Sequence, residues 1–126
     1  MIAKARKDLR EALQGGFPLA QVYSFPPDRL EGPAIIIDTA PIVETGDTYA
    51  TYKIGFKIVV IAASAGDTEI EVDNLDAMIS RLLATLDNCE ISAGSHFIAQ
   101  GADGQQFLAY ELTATTDYRK ENNNEL

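Results

Sequence analysis

The residues that most often carry enzymatic chemistry are scarce in this chain. His96 is its single histidine and Cys89 its single cysteine, and Ser95 precedes the histidine directly. A strand through this stretch would turn Ser95 and His96 to opposite faces, which is not the geometry of a nucleophile and its base. We expect His96 to lie at a sheet edge or subunit contact and Cys89 to act as a small buried hydrophobic residue. The chain is predicted to have no catalytic residues and no cofactor.

Metal sites are also disfavoured by the residue types. One cysteine and one histidine exclude a structural zinc site within one chain. A calcium loop beginning at Asp67 would need glycine at its sixth position, where Val72 stands. The nearby carboxylates are better explained by a helix start, where the helix dipole favours negative charge, with Thr68 or Asp73 as the N-cap. These carboxylates are Asp67, Glu69, Glu71, Asp73 and Asp76.

A strict alternation over residues 48–63 is the clearest structural pattern. One side carries Tyr52, Ile54, Phe56, Ile58, Val60 and Ala62, and the other carries Thr51, Lys53, Gly55 and Lys57. Such alternation is typical of a half-buried strand. At about 3.3 Å per residue the strand would span about 50 Å, so we expect its first end to outrun the domain and meet a neighbouring subunit. Gly55 marks a bulge, a bend or a close backbone approach.

Two helices and four shorter strand segments complete the predicted fold. Residues 2–13 form an amphipathic helix that Gly15 and Gly16 end. Residues 69–87 form the second helix, with a buried stripe of Leu75, Met78, Ile79, Leu82, Leu83 and Leu86. The first strand segment, 19–25, ends at Pro26 and Pro27, and the second is 34–38. The last two segments, 95–100 and 106–116, form a hairpin with a turn at Asp103 and Gly104. Residues 39–47 connect the second segment to the long strand, with a short extended piece at 42 and 43.

This order of elements predicts an α+β fold. Short turns between strands favour a mainly antiparallel sheet with a long central strand and both helices on one face. Three consecutive isoleucines in segment 34–38 indicate burial on both faces, or a helix above and a subunit below. The 126 residues suffice for one domain, which we place at 1–118, followed by a flexible tail at 119–126.

The charge balance excludes several classes of partner. Nineteen acidic residues against ten basic ones give a net charge of −9. Such a chain should neither bind nucleic acid non-specifically nor approach an anionic membrane. No apolar run approaches about 20 residues, and the charged N-terminus lacks the apolar block of a secretion signal. We expect a soluble protein made in a cytoplasm.

The chain resembles the small tail-terminator, or tail-completion, proteins of long-tailed bacteriophages. The resemblance extends to about Tyr118 and is carried by element order and by the segments VYSFPPDRLEGPAIII, TYKIGFKIVVIAA, DNLDAMISRLLATLD and FLAYELTATTDY. It implies a structural virion protein that forms a homohexameric ring at the head-proximal end of the tail tube, stops tube polymerisation and offers a docking surface for the head connector. Six copies would carry about −54, so an acidic lumen would repel passing DNA.

The expected oligomer contacts lie at the start of the long strand and in the loop before it. The candidate residues are Glu44, Asp47, Tyr49, Thr51, Lys53 and Gly55. The expected partners are further copies of the chain, the tail-tube protein and the head connector, and no membrane. Two alternatives stay open, namely another head–tail joining protein and a small ligand-binding α+β domain with a polar pocket near His96 or Glu111.

Overall fold

The strands form one sheet, and both helices lie on the same face of it. A computed structural model of the protein describes residues 1–101 and 104–120, without the side chain of Ala93. Within them the sheet has six strands, five of which run in the order β1-β2-β4-β6-β5 while β3 pairs with β4. This confirms the predicted α+β class. The elements are α1 (Ile2–Gly16), β1 (Gln21–Tyr23), β2 (Ala34–Ile37), β3 (Ile42–Thr45), β4 (Thr51–Ile61), α2 (Thr68–Thr85), β5 (Glu90–Gln100) and β6 (Gln106–Arg119).

The central strand β4 is paired along both of its edges. It runs antiparallel to β6 over its whole length, from Thr51 opposite Arg119 to Ile61 opposite Ala109. On its other edge, β2 pairs with residues 58–61 and β3 pairs with residues 52–55. The strand is therefore shorter than the predicted 48–63. Its first end does not outrun the domain, because Thr51 already has a β6 partner.

Pairing at the two sides of the sheet departs from the simple antiparallel expectation. β1 and β2 are parallel, and residues 24–33 form the connection that returns the chain to the same end of the sheet, as parallel pairing requires. β3 extends the predicted extended piece at 42 and 43 into a four-residue strand. β5 and β6 form the predicted hairpin with longer arms, and the register of β5 shifts between Ser92 and Ser95.

The C-terminal predictions are met only in part within the described residues. Asp103, half of the predicted turn, lies outside them, whereas Gly104 has a positive φ of 83° that suits glycine. β6 continues to Arg119, so the predicted tail does not begin at that residue. Residues 121–126 of the predicted tail lie outside the described range.

The main core lies between the helices and one face of the sheet. Side chains at the even positions of β4 from Ile54 to Val60 are buried there, as the alternation predicted, and Tyr52 is partly buried against them. The predicted stripe of α2 is buried at Leu75, Leu82 and Leu86, but Leu83 is 45% exposed. Each residue turns a helix by about 100°, so Leu83 is rotated away from Leu82 to the flank of the buried stripe. The core residues are Ala5, Leu13, Ile54, Phe56, Ile58, Val60, Leu75, Leu82, Leu86, Leu112 and Ala114 among others.

A second, smaller apolar cluster lies on the opposite face. It comprises Ala34, Ile61, Phe107 and Ala109, against which Leu30 of the 24–33 connection packs. β2 is thus buried on both faces, by the helices on one side and by the chain's own connection on the other. The chain itself therefore accounts for the burial that the three isoleucines indicated, without a second subunit.

The helix ends differ from the predictions for local physical reasons. The N-cap of α2 is Asp67, rather than Thr68 or Asp73. Its Oδ1 accepts hydrogen bonds from the backbone N–H groups of Glu69 at 2.9 Å and Ile70 at 3.3 Å. Helix α1 continues through Gly15 and Gly16 instead of ending before them.

Gly16 is the position at which α1 approaches α2. A Cβ atom there would overlap the side chain of Thr85, whereas a Cβ at Gly15 would have no neighbour within 4 Å. The two adjacent glycines therefore have different roles, since only Gly16 is required by packing.

Alanine substitutions should separate these two roles. Gly15→Ala should raise the free energy of unfolding by about 0.5–1 kcal/mol, because alanine is the better helix former. Gly16→Ala should lower it by about 1–3 kcal/mol through overpacking against Thr85. Urea unfolding measures both changes. The pair Gly16→Ala/Thr85→Ala should recover much of the loss, and equal effects of the two glycine substitutions would contradict the account.

Arg6 of α1 joins the helix to the ends of two strands. Its Nη1 donates hydrogen bonds to the carbonyl oxygens of Ser24 at 3.2 Å and Asp38 at 2.8 Å, and its Nη2 donates to that of Thr39 at 2.7 Å. The guanidinium lies 4.7 Å from the ring centroid of Phe56. One half-buried cation thus satisfies three carbonyl groups where β1 and β2 end.

Arg6→Met should lower the free energy of unfolding by about 2–4 kcal/mol, because it leaves these carbonyls without their charged donor. Arg10→Met, at an exposed position of the same helix, provides the control and should change stability by less than about 0.5 kcal/mol. Chemical denaturation of both variants checks the prediction, which fails if the two losses are similar.

Candidate assembly surface

The turn between β3 and β4 carries two of the six predicted interface residues, Asp47 and Tyr49. The backbone N–H of Gly46 donates to the carbonyl of Thr51 at 3.0 Å and closes the hairpin. Tyr49 is 94% exposed in the turn, and Glu44 is exposed on β3. Although β4 itself does not project, this turn presents a large aromatic side chain to solvent.

Lys53 is neutralised within its own chain. Its Nζ lies 3.5 Å from Oδ1 of Asp47 and 3.4 Å from Oε2 of Glu90, and the side chain is 23% exposed. The hydrogen bond to Glu90, followed by the charge of Asp47, raises the pKa of Lys53 above 10.5. Glu44 faces Lys53 in the β3–β4 register. The structure therefore brings Asp47, Lys53 and Glu44 together, and adds Glu90, which the sequence did not single out.

Gly55 permits a close approach between strands. The β4–β6 register continues through it without a bulge, opposite Thr115. A Cβ atom at Gly55 would lie 2.7 Å from Oγ1 of Thr115. Of the three alternatives for this glycine, the structure has the close approach. Gly55 pairs with Ile42 on its other side, next to a shallow depression of about 280 Å³. This depression is lined by Ile42, Glu44, Lys53, Glu90, Ser92, Thr113 and Thr115.

The residues considered for catalysis are not assembled into a site. His96 lies on the edge strand β5 and packs edge-on against Tyr110, with 4.9 Å between ring centroids. Ser95 pairs with Glu111 and His96 with Tyr110, so the two side chains lie on opposite faces. Glu111 lies 3.9 Å from Nζ of Lys57.

Cys89 is half-buried beside a cavity of about 160 Å³ between α1 and the sheet. Its Sγ lies 3.2 Å from Oγ1 of Thr116. On the same cavity, the hydroxyl of Tyr118 donates to Oδ2 of Asp8 at 3.3 Å. Burial, reinforced by the charge of Asp8, raises the pKa of Tyr118 to about 12. These contacts fasten the end of β6 to α1 and leave Cys89 away from His96.

Two features are absent from the residues that the structure describes. Its His, Cys, Asp and Glu residues form no group of three or more that could hold a metal ion. None of its helices is both long and apolar enough to span a membrane.

Comparisons with known proteins add no assignment. No family model matches the sequence, and no curated protein is significantly similar to it.

Two further strand edges contain none of the six candidate contact residues, although the expectation that His96 lies at a sheet edge is met on one of them, β5. β1 and β5 end the main strand order on opposite sides of the sheet. Leu19 beside β1 is 95% exposed and Ile98 on β5 is 52% exposed. A signal was available, because residues 12–27 and 91–102 are long stretches without a charged residue in an otherwise charged chain.

The charge cluster around Lys53 predicts a measurable change in its pKa. Glu90→Gln should lower the pKa of Lys53 toward 10.5, because it removes the strongest partner. NMR titration of the lysine side chain measures this shift, with the exposed Asp87→Asn as a control of equal charge change. Because the pKa of Lys53 is raised in the folded state, its stabilising effect is complete below pH 10.5 and is lost as the pH rises through the folded value. An unchanged midpoint in Glu90→Gln would contradict this assignment.

The same cluster changes how a charge reversal should be interpreted. Lys53→Glu would place another carboxylate beside Asp47 and Glu90, and should therefore lower the thermal stability of the isolated chain. A loss of assembly in that variant would not by itself identify a subunit contact.

Proposed function

We propose that this protein is a structural component of a long-tailed bacteriophage virion. It forms a ring at the head-proximal end of the tail tube, stops the polymerisation of the tube and provides the surface on which the head docks. The ring is homohexameric, and DNA passes through it without specific binding. Assembly takes place in the host cytoplasm.

The proposal is supported most by where the segments that carry the resemblance lie in the fold. The segment TYKIGFKIVVIAA contains all of β4, the segment DNLDAMISRLLATLD lies mostly in α2, and the segment FLAYELTATTDY lies within β6. β6 is distant in sequence from β4 and α2, yet the buried side chains of all three elements belong to one core. Three of the four segments thus lie in the packed centre of the fold, while VYSFPPDRLEGPAIII spans most of β1, the 24–33 connection and β2.

Charge and surface shape favour an assembly role over ligand binding. The net charge of −9 suits a channel wall that must not retain DNA. The cavity beside Cys89, at about 160 Å³, is smaller than the roughly 300–1,000 Å³ of typical ligand pockets. His96 is exposed, and its nearest ring contact is Tyr110.

Tube growth in the presence of the purified protein tests the proposal. The tail-tube protein of the same phage would be polymerised with and without substoichiometric amounts of this chain. We expect shorter tubes with a ring of extra density at one end in electron micrographs, and an unrelated acidic protein of similar size should have no effect.

Two results would contradict the proposal. Tubes of unchanged length with bare ends would exclude a terminator. Binding to the head connector without any effect on tube growth would instead identify another head–tail joining protein.

A further inference from the structure

Among the described strands, the main order of the sheet ends in two unpaired edges on opposite sides. β1 is the first strand of the main order and β5 is the last. Edge strands present unpaired backbone groups, and natural proteins usually protect them with charged residues or proline. β5 is eleven residues long, and after its register shift residues 95–100 pair with β6 without further irregularity.

Both edges lack the usual protective charges. Residues 12–27, which include β1, contain no charged residue, and neither do residues 91–102, which include most of β5. Copies of a chain with a net charge of −9 repel one another, so contact is least unfavourable where charge is absent. By contrast β3, the remaining short edge strand among those described, carries Glu44 beside the Lys53 cluster.

Exposed apolar side chains accompany both edges. Leu19 precedes β1 and is 95% exposed, and Phe25 follows it and is 57% exposed. Beside Leu19 lies a mainly apolar depression of about 270 Å³, whose lining includes Pro18, Met78 and one charged residue, Arg81. On β5, Ile98 is 52% exposed. An exposed, uncharged edge with apolar side chains is typical of a surface that is covered in an assembly.

The two edges also lie at the same position along the strand direction, on opposite sides of the sheet. A single row of paired residues runs from β1 to β5 through Val22, Ile35, Val60, Tyr110 and His96. The pairings make β1 run opposite to β5. A second copy placed beside the first in the same orientation therefore brings its β1 antiparallel to the first copy's β5.

We propose that β5 of one copy pairs antiparallel with β1 of the next, with residues 95–100 against Gln21–Tyr23, so that the sheet continues from subunit to subunit. This inference rests on the proposed ring and identifies its contact. Because the two edges differ, the contact is heterologous, and such contacts close into rings when the rotation permits. Pairing of β5 with β5 would instead close a dimer and leave Leu19 uncovered.

Three double-lysine variants with equal added charge test the contact. Ser95→Lys/Ile98→Lys blocks the β5 edge, and Leu19→Lys/Gln21→Lys blocks the β1 edge, since lysine on an edge opposes strand pairing. Val72→Lys/Leu83→Lys on α2 is the control, because these side chains are also partly exposed, at 41% and 45%. Native mass spectrometry measures assembly, with and without tube protein, after circular dichroism has shown that each variant is folded.

We expect the control to assemble like the unaltered chain and each edge variant alone to stay monomeric. A mixture of the two edge variants should form one-to-one dimers and no rings. In such a mixture only β5 of the β1-edge variant and β1 of the β5-edge variant can still pair. Dimers of the β1-edge variant alone would overturn the proposal in favour of β5–β5 pairing. If both edge variants assemble like the unaltered chain, the proposed β5–β1 contact is excluded, whereas the proposed ring is not. If the unaltered chain never assembles, the ring and the contact both fail.

Discussion

The pairing of β4 on both edges is the constraint on which the structure depends. β6 occupies one edge from end to end, and β2 and β3 share the other. The backbone groups of the central strand are thereby used within the chain, and its alternating side chains are divided between the helix core and the opposite face. Among the described strands, the edges that the fold leaves unpaired lie at the sides of the sheet, in the short strands and in β5. Association of these strands through backbone pairing would therefore use those edges.

Patterns within single segments predicted much of this fold, because they depend on local periodicity. The alternation in β4 and the stripe from Leu75 to Leu86 each report which face of one element is apolar. What they could not report was which distant segment would cover that face or edge. The expectation that β4 would project failed for this reason, since the pairing of Thr51 with Arg119 joins residues far apart in sequence. The role of Gly16 was missed in the same way, because Thr85 belongs to another helix.

The features of the candidate assembly surface were likewise predictable from the sequence only where they depend on local residues. Exposure of Glu44 and Asp47 followed from their place in a polar predicted loop, whereas Tyr49 was predicted in the long strand and lies in the turn before it. The neutralisation of Lys53 by Glu90 did not, because β5 reaches the cluster only through its pairing with β6. An internally satisfied lysine is a poor basis for a contact between subunits, whereas uncharged edges keep their bonding capacity for a partner. The acidic charge of the whole chain then limits where copies can meet, and the uncharged segments 12–27 and 91–102 meet that condition.

The native mass of the unaltered protein tests the central claim, that it is a ring-forming structural subunit, most directly. The account predicts a species of six times 13.7 kDa, populated as concentration rises or on addition of tail-tube ends and seen as a ring by electron microscopy. A mass of 13.7 kDa under all of these conditions would contradict it.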